Sequence, residues 1–342
     1  MQGYFRTQSW LYTRSLTGFF ICVLFFATSG CGRPTFSKER LAESLVELCE
    51  RDYGLKGVKA KLHGNVLGAY YSADRLLNDN FWLSEESSEK SFRLITAISR
   101  VSVSTDAEVD FYCVVYQDTR FPEVELVLLG EVDDVKRADM WALSPDELNA
   151  RRLVDLKASP EIKRGEMLKA LFTKMGLETT LADQFMGGYL SGGIAESIDD
   201  IGYWNGRFFL KEIEFEEFLA SQVANRLRLM ISQDTRFVEL ATVQVDGEFD
   251  PNPPNSGFTL DVNLFTGDAE VIDASISEEK LRELFESSFI LIADILDGYH
   301  FWDFDRARIY VKNTGTERSA DSAGLKELYE KKREASDIIR GK

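Results

Sequence analysis

In two stretches of the chain, hydrophobic positions recur first with the spacing of a helix and then with the spacing of strands, in the same order each time. The first stretch predicts helix 38–51, strands 58–62 and 66–71, helix 89–104, and strands 109–116 and 124–132. The second predicts helix 215–231, strands 238–245 and 258–264, a helix from Ser277, and strand 307–311. The common order α-β-β-α-β indicates two two-layer modules of the α+β class. Either a duplication or a chance recurrence of this order would explain the likeness.

The segments around these patterns complete the predicted organisation. Helical patterns fill the stretch between the modules, and the chain after Thr314 is polar and charged. The predicted boundaries are a signal peptide at 1–30, a tether at 31–37, a first α+β module at 38–140, a helical connecting segment at 141–211, a second α+β module at 212–313, and a charged tail at 314–342.

The first thirty residues have the pattern of an export signal. Arg6 and Arg14 are the only charged side chains before position 31, and an apolar run covers 16–27. A membrane span needs about 20 apolar residues, so this shorter run favours a cleaved signal peptide.

The end of this leader, Thr28-Ser29-Gly30-Cys31, resembles the lipobox of bacterial lipoprotein precursors, although Thr28 stands where Leu is usual. The resemblance covers the leader alone. It implies cleavage before Cys31, a lipid on its sulfur, and an extracytoplasmic body anchored to a membrane of the bacterial cell envelope. The alternative is ordinary cleavage, which would leave Cys31 as a thiol.

The order of elements in the body resembles that of BON and secretin-type envelope modules, in which two helices cover a three-stranded sheet. The resemblance is one of topology, without a shared motif, and it implies binding to envelope proteins or polymers. A net charge of -17 makes nucleic acid an unsuitable partner, since two polyanions repel each other. Cleavage of the basic leader makes the body more acidic, and we expect it to project away from an anionic membrane.

Cysteine positions leave one pair for a disulfide. Cys22 lies in the leader and Cys31 is the predicted lipidation site, so Cys49 and Cys113 remain in a compartment that permits disulfides. The alternative is that both are buried, reduced thiols. The cysteine spacing has no metal signature.

No set of catalytic residues emerges from the sequence, and no cofactor is predicted. The two histidines, His63 and His300, lie in a predicted turn and in an aromatic cluster. A calcium candidate is formed by alternating oxygen-bearing residues at a hairpin end, without EF-hand spacing: Asp246, Glu248, Asp250 and Asn252. The sequence therefore favours a lipid-anchored, non-catalytic binding or scaffolding protein. The alternative is an extracytoplasmic hydrolase that uses carboxylates in the cleft between the modules.

Overall fold

The computed structural model describes residues 35–76, 84–119, 121–158, 202–204, 207–209, 212–237, 242–252, 254, 256–265 and 276–341. The predicted signal peptide and Cys31 lie outside these residues. The first module contains, in chain order, α1 (Leu41–Tyr53), β1 (Lys59–His63), β2 (Val66–Ala73), α2 (Glu85–Val103), β3 (Phe111–Asp118), β4 (Phe121–Glu131), α3 (Val132–Asp139), α4 (Pro145–Ala150) and β5 (Leu153–Ala158).

The second module comes after a short hairpin formed by β6 (Gly202–Trp204) and β7 (Arg207–Phe209). It contains α5 (Phe215–Gln233), β8 (Thr242–Asp250), β9 (Gly257–Phe265), α6 (Glu278–Gly298), β10 (Arg306–Val311), β11 (Thr316–Asp321), α7 (Ser322–Tyr329), α8 (Ala335–Ile338) and β12 (Arg340–Gly341).

Each module has one five-stranded sheet, and the two sheets have the same topology. The strand orders are β1-β2-β3-β4-β5 and β8-β9-β10-β11-β12 across the sheet. The central pairs β2–β3 and β9–β10 are parallel, because α2 and α6 carry the chain back between them, and the other pairs are antiparallel. The predicted α+β class and the two modules are confirmed.

The crossover helices begin where the sequence supplies a cap. The hydroxyl of Ser84 accepts a hydrogen bond from the Ser87 amide at the start of α2, and Ser277 accepts one from Lys280 at the start of α6. Two glutamates come directly after each cap, where the helix dipole favours negative charge. The caps fix where each long helix begins, and the apolar side chains of the helix pack against one face of its own sheet, where the core lies.

Each module is larger than the predicted α-β-β-α-β unit, and this corrects two predicted boundaries. The first module does not end at 140, since α4 leads into β5, which pairs antiparallel with β4. The segment 314–342 is not a charged tail, because it forms β11, α7, α8 and β12 up to Gly341. Leu325 is fully buried against the second core, and Ala320 and Ile338 lie in the same core. A few well-spaced apolar side chains are enough to dock a segment that is otherwise polar.

Cys49 and Cys113 are both buried and reduced, and no disulfide joins them. Cys49 belongs to the core between the helices and the first sheet. Cys113 lies on β3 between Tyr112 and Val114. Those two side chains point into the same core as Cys49, whereas Cys113 points to the other face of the sheet. The disulfide prediction is therefore wrong, since the sheet separates the two thiols. Burial raises the pKa of the Cys49 thiol to about 12.

The two sheets differ in what covers the face away from their helices. In the first sheet that face is apolar and packs against the start of α5 and the end of α6. In the second sheet the corresponding side chains are polar and partly exposed, among them Asp261, Arg308 and Tyr310. Among the described residues, no helix is long and apolar enough to cross a membrane.

Candidate functional site

A groove of about 990 Å³ runs beside the outer strand of the second sheet. Its walls come from the N-terminal half of α5 and from β8, together with one residue from the middle of β9 and the residue that follows β10. The residues that line it are Glu214, Glu216, Glu217, Ser221, Ala224, Val245, Asp246, Gly247, Glu248, Phe249, Pro251, Asp261 and Lys312.

Strand β8 forms one wall of the groove. Every residue from Val245 to Phe249 lines it, so the groove follows this stretch of the strand. Among the described strands, β8 pairs only with β9 and is therefore the outer strand of its sheet.

Close packing of α5 on β8 fixes the inner wall. A Cβ atom at Gly247 would lie 2.4 Å from the carbonyl oxygen of Ala220, so only glycine allows this approach. The contact sets the start of α5 alongside the strand, and this brings the acidic first turn of the helix to the rim of the groove.

The groove is strongly acidic. Six carboxylates line it, and Lys312 supplies the one ammonium group among the lining residues. The Lys312 Nζ atom lies 3.2 Å from Asp261 Oδ2 and 3.7 Å from Asp246 Oδ2. Burial works to lower the pKa of Lys312, but the hydrogen bond and charge of Asp261, together with those of Asp246, raise it overall. Lys312 therefore stays charged and offsets part of the negative potential.

The calcium candidate falls partly in this groove. Asp246 faces Lys312, whereas Asp250 accepts hydrogen bonds from the backbone and side-chain nitrogens of Asn252, which hold its pKa below the usual range. Within the described part of the chain, no three His, Cys, Asp or Glu side chains are grouped so that they could hold a metal ion. Calcium binding by Asp246, Glu248, Asp250 and Asn252 stays a prediction.

A second polar cluster lies between the modules and is almost fully buried. Arg151 Nη1 donates to Asp134 Oδ1 at 2.9 Å, and the Tyr299 hydroxyl donates to Asp134 Oδ2 at 3.0 Å. The Arg151 guanidinium lies over the Tyr299 ring, 4.5 Å from its centroid. It also donates to the carbonyl of Gly298, where a Cβ atom would lie 2.6 Å from Arg151 Nη2. Two first-module residues thus bind the end of α6.

Burial raises the pKa values of the acids in this cluster. It raises the pKa of Glu131 to about 8, and repulsion from Asp134 and Asp133 acts in the same direction. Burial also raises the pKa of Asp134, and the charge of Arg151 and the hydrogen bond from Tyr299 oppose the shift. Perturbed acids often mark active sites, but neither Glu131 nor Asp134 lines the groove.

Sequence reasoning found part of the groove and missed the rest. The sequence indicates Asp246 and Glu248 as calcium candidates, and both line the groove beside residues from α5 that no sequence pattern connects with them. The acidic pair Glu216 and Glu217 carried the available signal, since acids in a first helical turn mark where a helix begins.

The two histidines do not join this site. His63 ends β1 in the first module, and His300 comes after α6 in a left-handed backbone conformation with φ of 56°. The aromatic cluster around His300 packs into the second core: the rings of Phe301 and Phe304 are stacked with centroids 6.1 Å apart, and both contact Phe258. No imidazole lines the groove beside the Ser221 hydroxyl.

Comparison of the chain with protein-family models, with curated proteins and with solved structures gave no match. No relative's chemistry can therefore be carried over to these residues, and the function of the groove has to be inferred from its own geometry and charge.

Proposed function

We propose that this protein is a lipid-anchored, non-catalytic binding protein of the bacterial cell envelope, and that its second module holds an extended segment of a partner protein along β8. The observation that carries the proposal is the groove of about 990 Å³ that follows this outer strand from Val245 to Phe249.

An edge strand offers backbone groups to an incoming chain. In an antiparallel pair, every second residue of an edge strand directs its N–H and C=O groups away from its one partner. An extended peptide can bind these groups as an added strand, with main-chain hydrogen bonds giving affinity and side-chain pockets giving specificity. The wall formed by α5 beside β8 would hold such a peptide from one side.

The charge of the groove selects the kind of segment. Six lining carboxylates against one ammonium group favour a basic peptide and repel an acidic one. This choice agrees with the predicted partners, which are envelope proteins or polymers rather than nucleic acid. The predicted lipid on Cys31 would keep the module at the membrane surface, where it meets partners confined to the same envelope.

A binding role explains the lining better than hydrolysis does. Ser221 lies there without a histidine to activate it, and the two acids whose pKa burial raises, Glu131 and Asp134, lie between the modules and outside the groove. A carboxylate-dependent hydrolase stays the alternative from the sequence, and the six carboxylates of the groove are the groups that it would have to use.

A peptide titration tests the proposal. The full-length lipoprotein in detergent would be titrated with an eight-residue peptide of alternating Lys and Val, with calorimetry as the readout. We expect binding that weakens about tenfold or more in Glu248→Lys, because the exposed Glu248 carboxylate faces the peptide.

Three matched measurements separate the contributions to binding. Glu279→Lys reverses an exposed acid on α6, away from the groove, and should bind as the native protein does. A peptide methylated on alternate backbone nitrogens should not bind, because it cannot pair with β8. The corresponding Glu–Val peptide should also fail. Equal binding by Glu248→Lys and the native protein, or no binding at all, would refute the proposal.

A further inference from the structure

The turn after α3 exposes two large apolar side chains. In this turn, defined here as the Trp141 turn (residues 138–142), Met140 is 69% exposed and Trp141 is 93% exposed. Trp141 also adopts a left-handed backbone conformation, with φ of 60°, which residues other than glycine rarely adopt. Neither its environment nor its backbone gives tryptophan a packing role here.

The second module contains the same turn without the aromatic side chain. In the Trp141 turn, the amides of Trp141 and Ala142 donate to the carbonyls of Ala138 and Arg137. After α7, the amides of Lys331 and Lys332 donate to Leu328 and Glu327 in the same way, and Lys331 has φ of 58°. The repeated turn therefore forms with a charged residue at this position. The geometry of the turn therefore does not require Trp141.

The Trp141 turn lies near the place where the tether enters the body. The backbone amide of Phe36 donates to Ser104 at the C-terminal end of α2. The hydroxyl of Ser99, about 7.5 Å back along that helix, donates to Asp139 at 2.7 Å, two residues before Trp141. Val103 is one turn from Ser99 on the same side of α2 and is 62% exposed. Exposed apolar side chains and the tether thus share one end of the first module.

The short tether limits how far this end can be from the lipid. Five residue steps separate Cys31 from Phe36, and even fully extended they span about 17 Å. A body anchored through Cys31 would therefore hold the C-terminal end of α2 close to the headgroups. The Trp141 turn, which contacts α2 through Asp139, lies within reach of the same surface.

We propose that the Trp141 turn rests in the headgroup layer of the bilayer that carries the lipid on Cys31, and so sets the orientation of the body on the membrane. This inference rests on the lipid anchor of the proposed function. Tryptophan suits the position because its ring is apolar while its N–H seeks a polar partner, and such rings collect at membrane–water interfaces. The chain has a net charge of -17, and loss of the basic leader would make the body more acidic still, which keeps the rest of the body off an anionic surface and confines contact to this end.

Site-specific labelling with a matched control tests the orientation. Trp141→Cys and Lys331→Cys place one new thiol in each of the two equivalent turns, and a fluorophore sensitive to polarity is attached to it. Cys49 and Cys113 are buried and will not compete. The lipidated full-length variants are reconstituted into phosphatidylcholine vesicles with and without nitroxide-labelled lipid. We expect nitroxide lipid to quench the label at 141 about twofold or more and to leave the label at 331 unchanged.

A second measurement leaves the tryptophan in place. In vesicles of brominated phosphatidylcholine, the native protein should lose part of its tryptophan emission, and Trp141→Lys should abolish that lipid-dependent loss. Equal quenching at 141 and 331, or the same loss in Trp141→Lys, would overturn the inference. The intact mass distinguishes the two proposals. A chain without lipid would refute both the anchor and this inference. A lipidated chain whose position 141 stays in water would refute this inference alone.

Discussion

Asp134 is a residue whose charge depends on its neighbours. It is 2% exposed, and its two carboxylate oxygens accept hydrogen bonds from Arg151 and from the Tyr299 hydroxyl. Arg137 lies 3.6 Å from the same carboxylate. A buried ion pair adds little net stability over an apolar pair of the same shape, but it becomes costly when one partner is lost.

Arg151→Met should therefore lower the free energy of unfolding by about 3–5 kcal/mol, because it leaves the Asp134 carboxylate buried without its main counter-charge. Urea unfolding at neutral pH measures the change. Arg282→Met is the matched control, since Arg282 pairs with Glu286 on an exposed helix face, and we expect a change below about 0.5 kcal/mol. Equal losses in the two variants would contradict the assignment of the buried pair.

Glu131 should make stability depend on pH. Burial, with repulsion from Asp134 and Asp133, raises its pKa from 4.5 to about 8 in the folded protein. Between these values the folded protein keeps a proton that the unfolded chain releases. The stability that this proton contributes is present below pH 4.5 and is lost as pH rises towards 8.

Glu131→Gln should remove this loss, because a neutral amide does not titrate. We expect the unfolding free energy of the variant, relative to the native protein, to rise with pH by up to about 1.4 kcal/mol per pH unit between about pH 5 and 8. Urea unfolding at several pH values measures the slope. A constant difference between the two proteins would show that Glu131 does not hold its proton in the folded state.

At the scale of elements, the last part of the second module shows how a polar segment becomes a structural one. Strand β11 pairs with β10, and α7 then packs against α6 through Leu325. The same steps occur in the first module, where β4 leads into α3 and Val135 is buried. Because charged side chains lie on the outer face of α7, the sequence pattern did not predict that this segment packs against the core.

Leu325→Ala should destabilise the second module by about 2–5 kcal/mol, because it opens a cavity under a fully buried side chain. Lys326→Ala changes the exposed neighbour on the same helix and should stay within about 0.5 kcal/mol of the native protein. Thermal unfolding of both variants measures the difference. If Leu325→Ala unfolds like the native protein, the segment behaves as the charged tail that its composition suggested.

At the scale of the whole molecule, the two repeated modules differ in one respect that decides how they assemble. The outer face of the first sheet is apolar and receives Phe218 from α5, whose ring centroid lies 5.0 Å from that of Phe111. Tyr299 and Phe215 pack beside it. Asn65 adds two hydrogen bonds to the backbone of Ile213. The second module thus covers the first sheet, while its own outer face stays polar.

Phe218→Ala should weaken the contact between the modules and lower the unfolding free energy by about 3–5 kcal/mol. Hydrogen exchange along β3 should quicken, because the outward face of that strand loses its cover. Ile290→Ala removes an apolar side chain that is 53% exposed on α6 and should have little effect. Unchanged exchange in β3 would mean that the modules do not depend on Phe218 for their packing.

The sequence by itself determined the class of the protein and the position of its main elements. Period-two and helical patterns are local properties, and capping residues such as Ser84 and Ser277 mark helix starts within a few residues. These signals were enough for two α+β modules with the same order of elements. The sequence at Cys31 that resembles a lipobox is also a local signal, and both the lipobox and its consequences stay predictions that a mass measurement can test.

Only the tertiary structure decided which distant residues meet. The alternation along β3 places Cys113 on the face opposite Tyr112, but the side of the sheet that α1 and Cys49 cover is decided by packing. The contacts of Asp134 with Arg151 and Tyr299, and the groove between α5 and β8, join residues far apart in the chain. Such sites arise from docking between elements, and no local period in the sequence encodes them.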